Sequence, residues 1–179
     1  MWNVLISSDR IPAAPLHPDV VIACFLALLV LCGAVACTDV TRRRIPNALS
    51  LAVAFLAVPY WLGWAGAWGL LALLLHVLPI GLLAIPLVLL FWLRLFGGGD
   101  VKLILAMALW VPPQDLPAFC MAVALAGGLL GGGMQVLHLV FWRVKTDSVP
   151  YGLAIAAGAI AVLGPAIRLA LAASCGIAR

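Results

Sequence analysis

The sequence predicts an all-α, polytopic integral membrane protein with about six transmembrane helices, and two observations carry that prediction. Hydrophobic residues fill 66% of the 179 positions and charged residues only 9%, against roughly 25% charged in ordinary soluble domains. The apolar residues are also gathered into successive runs, most of them long enough to cross a hydrocarbon core of about 30 Å at about 1.5 Å per residue. Such runs are too long and too numerous for one signal peptide ahead of a soluble domain. The expected division is an amino-terminal tail over 1–18 and a single transmembrane domain over 19–179.

Pro12, Pro15 and Pro18 among mixed polar residues make the tail irregular. The first span is expected from Asp19 to Thr38, with Asp39 ending it. After Arg42, Arg43 and Arg44, the stretch Ile45-Pro46-Asn47 opens a second apolar segment to about Trp64. Pro46 suits a first helical turn, and Pro59 is placed to kink the far end. A third run, Gly66 to Leu95, is long enough to tilt or to bend at Pro79 and Pro86. The fourth, Asp100 to Val111, is short before Pro112-Pro113 and is expected to borrow length from its flanks. The fifth, Leu116 to Trp142, carries Gly127, Gly128, Gly131, Gly132 and Gly133, which are expected to let helix backbones approach closely. A sixth begins after Pro150 and runs to about Ala173.

Charge places these segments relative to the membrane. The connections after the first, third and fifth segments hold Arg42, Arg43, Arg44, Arg94, Lys102, Arg143 and Lys145. Cytoplasmic loops are enriched in Lys and Arg, so this end is expected to face the cytoplasm and both termini to face outward. The net charge of +4 therefore reports orientation and contact with anionic lipid, not nucleic-acid binding. The five cysteines include no C-x-x-C pair and mostly lie in apolar runs, where a thiol acts as a small hydrophobe, so neither zinc nor a disulfide framework is indicated. His76 and His138 are isolated in apolar segments and read as packed histidines with local hydrogen bonds. Trp61, Trp64, Trp92, Trp110 and Trp142 fall near segment ends and are expected to anchor at the membrane interface, with Trp68 compatible with the same role.

All six acidic residues are aspartates: Asp9, Asp19, Asp39, Asp100, Asp115 and Asp147. Only Asp39, Asp100 and Asp147 share the basic side, and Asp147 lies in a polar loop. An ionisable residue at membrane depth is a functional hypothesis by default, which singles out Asp39 and Asp100. Two carboxylates held together push their proton affinities apart, so that one is a base and the other an acid. That pair can activate water and protonate a peptide carbonyl. Position alone equally allows each to cap a helix or pair with a neighbouring base, Asp39 with Arg42 or Arg43 and Asp100 with Lys102.

Gly97-x-Gly99-Asp100 is the G-x-G-D motif of intramembrane-type aspartyl proteases, and Asp39 followed by Ile45-Pro46-Asn47 resembles the first catalytic region of type IV prepilin peptidases. Gly97 to Leu103 is similar to the second catalytic region of that family, and Val149-Pro150-Tyr151-Gly152 with Ala154-Ile155-Ala156 resembles its last-helix signature. The closest resemblance is to the short prepilin peptidases of tight-adherence (Flp) pilus systems, the TadV/CpaA type. It implies a G-x-G-D aspartyl protease architecture with Asp39 and Asp100 as the catalytic pair. Gly97, Gly99, Lys102, Arg43, Pro46 and Asn47 would then shape the site or bind substrate, with Lys102 or one of Arg42 to Arg44 as a partner for a substrate glutamate.

The same resemblance implies a multi-pass enzyme of the bacterial inner membrane. It would cleave the leader of Flp-type prepilins and pseudopilins at the cytoplasmic face during pilus biogenesis, with no metal or organic cofactor. Longer relatives carry paired C-x-x-C motifs and an N-methyltransferase activity; neither is expected here. Two other classes are compatible with the residues themselves: a noncatalytic membrane factor for pilus assembly, and a small transporter carrying protons on Asp39 and Asp100.

Overall fold

In the computed structural model, which describes residues 15–42, 45–65, 67–140 and 151–175, each apolar run becomes a helix. In chain order these are α1 (Pro18–Arg42), α2 (Asn47–Ala65), α3 (Ala67–Trp92), α4 (Gly98–Ala108), a short 3-10 turn (Pro113–Asp115), α5 (Leu116–Val140) and α6 (Tyr151–Ser174). Among the described residues five helices, α1, α2, α3, α5 and α6, are long and apolar enough to cross a membrane. The protein is thus an all-α, multi-pass membrane protein. The fourth expected span, α4, has 11 residues and reaches only about 16 Å at helical rise.

The helices form an arc in which α1 lies between α2 and α6, α3 packs on α2, and α5 packs on α6. The short α4 fills the concave side against α2, α3 and α6. Helices α2 and α3 continue through Pro59, Pro79 and Pro86 without ending at them. Before α1 begins, the amides of Leu16 and His17 donate to the carbonyls of Trp64 and Gly63, which ties the start of α1 to the end of α2.

Helix α1 does not stop at Asp39 as its composition suggests. The hydroxyls of Thr38 and Thr41 donate to carbonyls in the preceding turn, 2.9 Å to Ala34 and 2.6 Å to Cys37. Neither threonine hydroxyl then ends the helix, which runs a further turn.

α4 can end inside the bundle because its terminal carbonyls find donors. The amides of Trp110 and Val111 close back on Met107 and Ala108, and Trp61 Nε1 donates to the Leu109 carbonyl at 2.8 Å. Irregular backbone at membrane depth is tolerated only where protein satisfies it. The turn is plugged by aromatic rings: Trp110, fully buried, lies 4.9 Å from Tyr60 and 6.1 Å from Phe25, and its Nε1 donates to the Val53 carbonyl. Trp61, Trp64 and Trp110 are therefore core residues and not interfacial anchors. Their position near segment ends is misleading because α4 is short and draws its end inward. Trp92 is 78% exposed, as an anchor should be; Trp68 and Trp142 lie outside the described side chains. His76 is buried against Trp61, with Nδ1 at the Ala72 carbonyl, the packed state expected for it. The His138 side chain falls outside those described.

Among the described glycines of α5, Gly127 meets another helix, where a Cβ would touch the Tyr151 ring of α6, whereas a Cβ at Gly128, Gly132 or Gly133 would meet nothing within 4 Å.

Replacing Trp61 by Phe keeps an aromatic ring but leaves the Leu109 carbonyl without its donor. The expected loss is about 1–3 kcal/mol, read as a lower unfolding midpoint in a detergent-denaturant titration against wild type.

Candidate active site

The last turn of α1 and the starts of α2, α4 and α6 meet at one end of the bundle. Asp39 sits one turn before the end of α1 and is 8% exposed. Its Oδ2 accepts a 2.7 Å hydrogen bond from the amide of Gly152, in the first turn of α6. That amide is one of the four donors a helix amino terminus leaves open, and the positive end of the helix dipole lies with it. A burial that is costly for a lone carboxylate is thereby offset. The contact also explains the glycine: a Cβ at position 152 would lie 2.9 Å from Asp39 Oδ2 and 3.1 Å from Val35.

Asp100 occupies the first turn of α4, behind Gly97 in an extended cap conformation at φ −72° and ψ 141°. The amides of Asp100 and Val101 both close on the Gly97 carbonyl. The carboxylate folds back over the Gly97 Cα, where a Cβ would come within 2.7 Å of Oδ2. The next two glycines are held by other elements, Gly98 under the Phe91 ring and Gly99 against Ile45. One residue earlier, Phe96 meets the Tyr151 ring edge-on at 5.0 Å. The run is thus clamped to α3, to the start of α2 and to α6, and Asp100 is delivered beside Asp39.

The approach to this run is itself constrained. Arg94 has φ 59°, its amide donates to the Phe91 carbonyl, and the Leu95 amide donates to Leu90. This is a Schellman closure of α3 with arginine at the left-handed position that glycine usually takes. It reverses the chain within a few residues and points Phe96 and the glycines back into the bundle.

Asp100 lies on α4, outside the five long apolar helices. Its carboxyl is pushed up from 3.8 to about 6, first by burial, then by the charge of Asp39, with a Gly97 backbone hydrogen bond acting in the opposite sense. The Asp39 charge thus reaches Asp100, which holds its proton into the mildly acidic range.

Asp19 and Asp115 belong to the opposite end of the bundle, in the first turn of α1 and the turn after α4, so the structure joins Asp39 with Asp100 and separates both from these two. Asp9 and Asp147 lie outside the described residues, as does Arg43. Pro46 follows Ile45, the residue against Gly99, and leads into α2, which Asn47 opens; the Pro46 carbonyl accepts from Leu49. Lys102 donates to Asn47 Oδ1 at 3.0 Å and so turns to α2, away from the local pairing with Asp100 that spacing allowed. Gly152 and Tyr151 are the site residues that reasoning from charge and acid position did not single out. Their signal was the Val149-Pro150-Tyr151-Gly152 stretch.

A family model described as the type IV leader peptidase family matches residues 24–132, a span that holds both aspartates and the glycine run. Comparison with curated proteins and with solved structures found no match.

Two outcomes are expected. Gly152→Ala pushes a methyl against Asp39 Oδ2 and should lower stability by about 1–3 kcal/mol, as overpacking does, measurable by thermal unfolding in detergent. The pH dependence comes from Asp100: because the folded carboxyl binds its proton more tightly than the unfolded one, the stability it contributes is complete below about pH 4 and is lost as pH rises through about 6. Melting temperatures across that window should fall more steeply for wild type than for Asp100→Asn, whose amide cannot ionise.

Proposed function

Because the chain belongs to the type IV leader peptidase family, we propose that it is an aspartic endopeptidase that cuts the leader from prepilins, with Asp39 and Asp100 as the catalytic pair. The single observation that carries this reading is the convergence of those two carboxyls from α1 and α4, one on the Gly152 amide and the other raised by burial and by its partner's charge.

In the proposed reaction Asp39 is ionised and Asp100 protonated. Asp39 takes a proton from a water molecule as the water oxygen attacks the scissile carbonyl carbon, and Asp100 gives its proton to the carbonyl oxygen. The resulting gem-diol collapses: Asp39 passes its new proton to the departing amine, the C–N bond breaks, and a hydroxyl proton returns to Asp100. The products are a leader carboxylate and a pilin with a free amino terminus. The proposed chemistry is hydrolysis of one peptide bond.

Arg42, Arg94 and Lys102 all belong to the dyad end of the bundle, and the excess of positive charge there supports a cytoplasmic site in a bacterial inner membrane. A substrate whose basic leader lies in the cytoplasm and whose apolar helix lies in the bilayer would present its scissile bond at this depth. The chain's resemblance to tight-adherence peptidases supports Flp-type prepilins and pseudopilins as substrates and pilus biogenesis as the setting. Pro46, Asn47 and Lys102, with Gly97 and Gly99, are assigned to shaping the site around the pair.

Asp39→Asn and Asp100→Asn should each slow cleavage of a purified prepilin in proteoliposomes by at least about 10²- to 10⁴-fold, the usual worth of a general acid or base. Wild-type cleavage by either variant, read on a gel that resolves precursor from product, would remove the dyad from the mechanism.

A further inference from the structure

A second feature of the same end of the molecule is a groove of about 510 Å³ between α2, α3 and α4, on the face of α4 that carries Lys102. Leu51 and Ala54 of α2, Val77 and Ile80 of α3, and Leu105 and Leu109 of α4 form its walls. Leu51 and Val77 are 56% and 60% exposed, so the groove opens outward through the side of the bundle that lipid covers. We propose that this groove is a phospholipid site, with one acyl chain in the groove and an anionic headgroup phosphate on Lys102 and Asn47.

The polar residues are arranged in the order a phospholipid requires. At the mouth, Lys102 Nζ uses one donor on Asn47 Oδ1, and it has no carboxylate partner among the described residues. Its remaining donors and the amide nitrogen of Asn47 are left for an anion. Ser50 lies three residues further along α2, about 4.5 Å deeper, and lines the groove. Its hydroxyl is buried and without a hydrogen-bond partner, which is costly unless something in the groove supplies an acceptor. A lipid ester carbonyl, one glycerol unit below its phosphate, stands at that depth. Below Ser50 the walls are wholly apolar.

From Asn47 to Ala54, or from Lys102 to Leu109, the groove runs about 10 Å. The single unpaired cation selects for net negative headgroups, since a zwitterionic lipid brings its own cation to compete. Asn47 and Lys102 are shared with the residues assigned above to shaping the peptidase site, whereas Ser50 and the apolar walls belong to the groove alone.

The test is native mass spectrometry of the full chain in detergent, offered equal amounts of phosphatidylglycerol and phosphatidylcholine. Wild type should retain one lipid, with phosphatidylglycerol favoured about fivefold, the worth of one lysine at an anionic surface. Lys102→Gln, an exposed change that leaves the fold intact, should bring that ratio close to unity. Ala54→Trp fills the groove without altering charge and should abolish retention of both lipids, with its melting temperature confirming that it folds. Retention and selectivity equal to wild type in both variants would overturn the proposal. So would a wild type that holds no lipid while Ala54→Trp weakens prepilin binding, which would assign the groove to a peptide.

Discussion

Two carboxyls placed side by side at one end of an apolar bundle form the constraint on which the rest of this structure depends. Each would repel the other and each loses hydration. The fold answers with the amino termini of two helices. Asp39 receives the Gly152 amide from α6, and Asp100 stands in the first turn of α4. Both arrangements bring backbone close to a carboxylate, and at Gly97 and Gly152 a Cβ would occupy the space the oxygen needs. The small residues around the pair are therefore a consequence of where the charges are held.

The shortness of α4 serves the same end. A helix of 11 residues that started at the membrane edge could not reach the far side, so its terminus is received inside the bundle by Trp61, Trp110, Tyr60 and Phe25. This aromatic plug fixes the axial position of α4 at its carboxyl end, while the contacts of Phe96, Gly98 and Gly99 fix it at its amino end. Asp100 is thus held by both ends of the helix that bears it. The left-handed Arg94 is a local cost, of the order of 1–2 kcal/mol for a residue with a Cβ, and the tight return from α3 to the glycine run depends on it.

Much of this was legible in the chain. Long apolar runs specify spanning helices, and the sidedness of Lys and Arg leaves Asp39, Asp100 and Asp147, of which the last lies in a polar loop. What was hidden are features that depend on register between helices. Asp39 looked like a stop because it is polar, but its carboxyl is satisfied by α6, a partner 113 residues away. Trp61 and Trp110 looked interfacial because they lie near segment ends, and only the depth at which α4 terminates makes them core. The glycines of α5 suggested close helix packing, yet a Cβ at Gly128, Gly132 or Gly133 would meet nothing within 4 Å. Periodicity and composition describe one helix at a time and are silent on how far neighbours slide.

The action of the Asp39 charge on Asp100 is the central claim, and the most direct measurement is the titration of the Asp100 carboxyl by isotope-edited infrared spectroscopy in wild type and in Asp39→Asn. Coupling predicts a midpoint near 6 in wild type and a lower one in the variant, still above 3.8 because burial persists when the neighbouring charge is gone. The same midpoint in both proteins would contradict it, and would leave two aspartates at one end of the bundle that do not feel each other's charge.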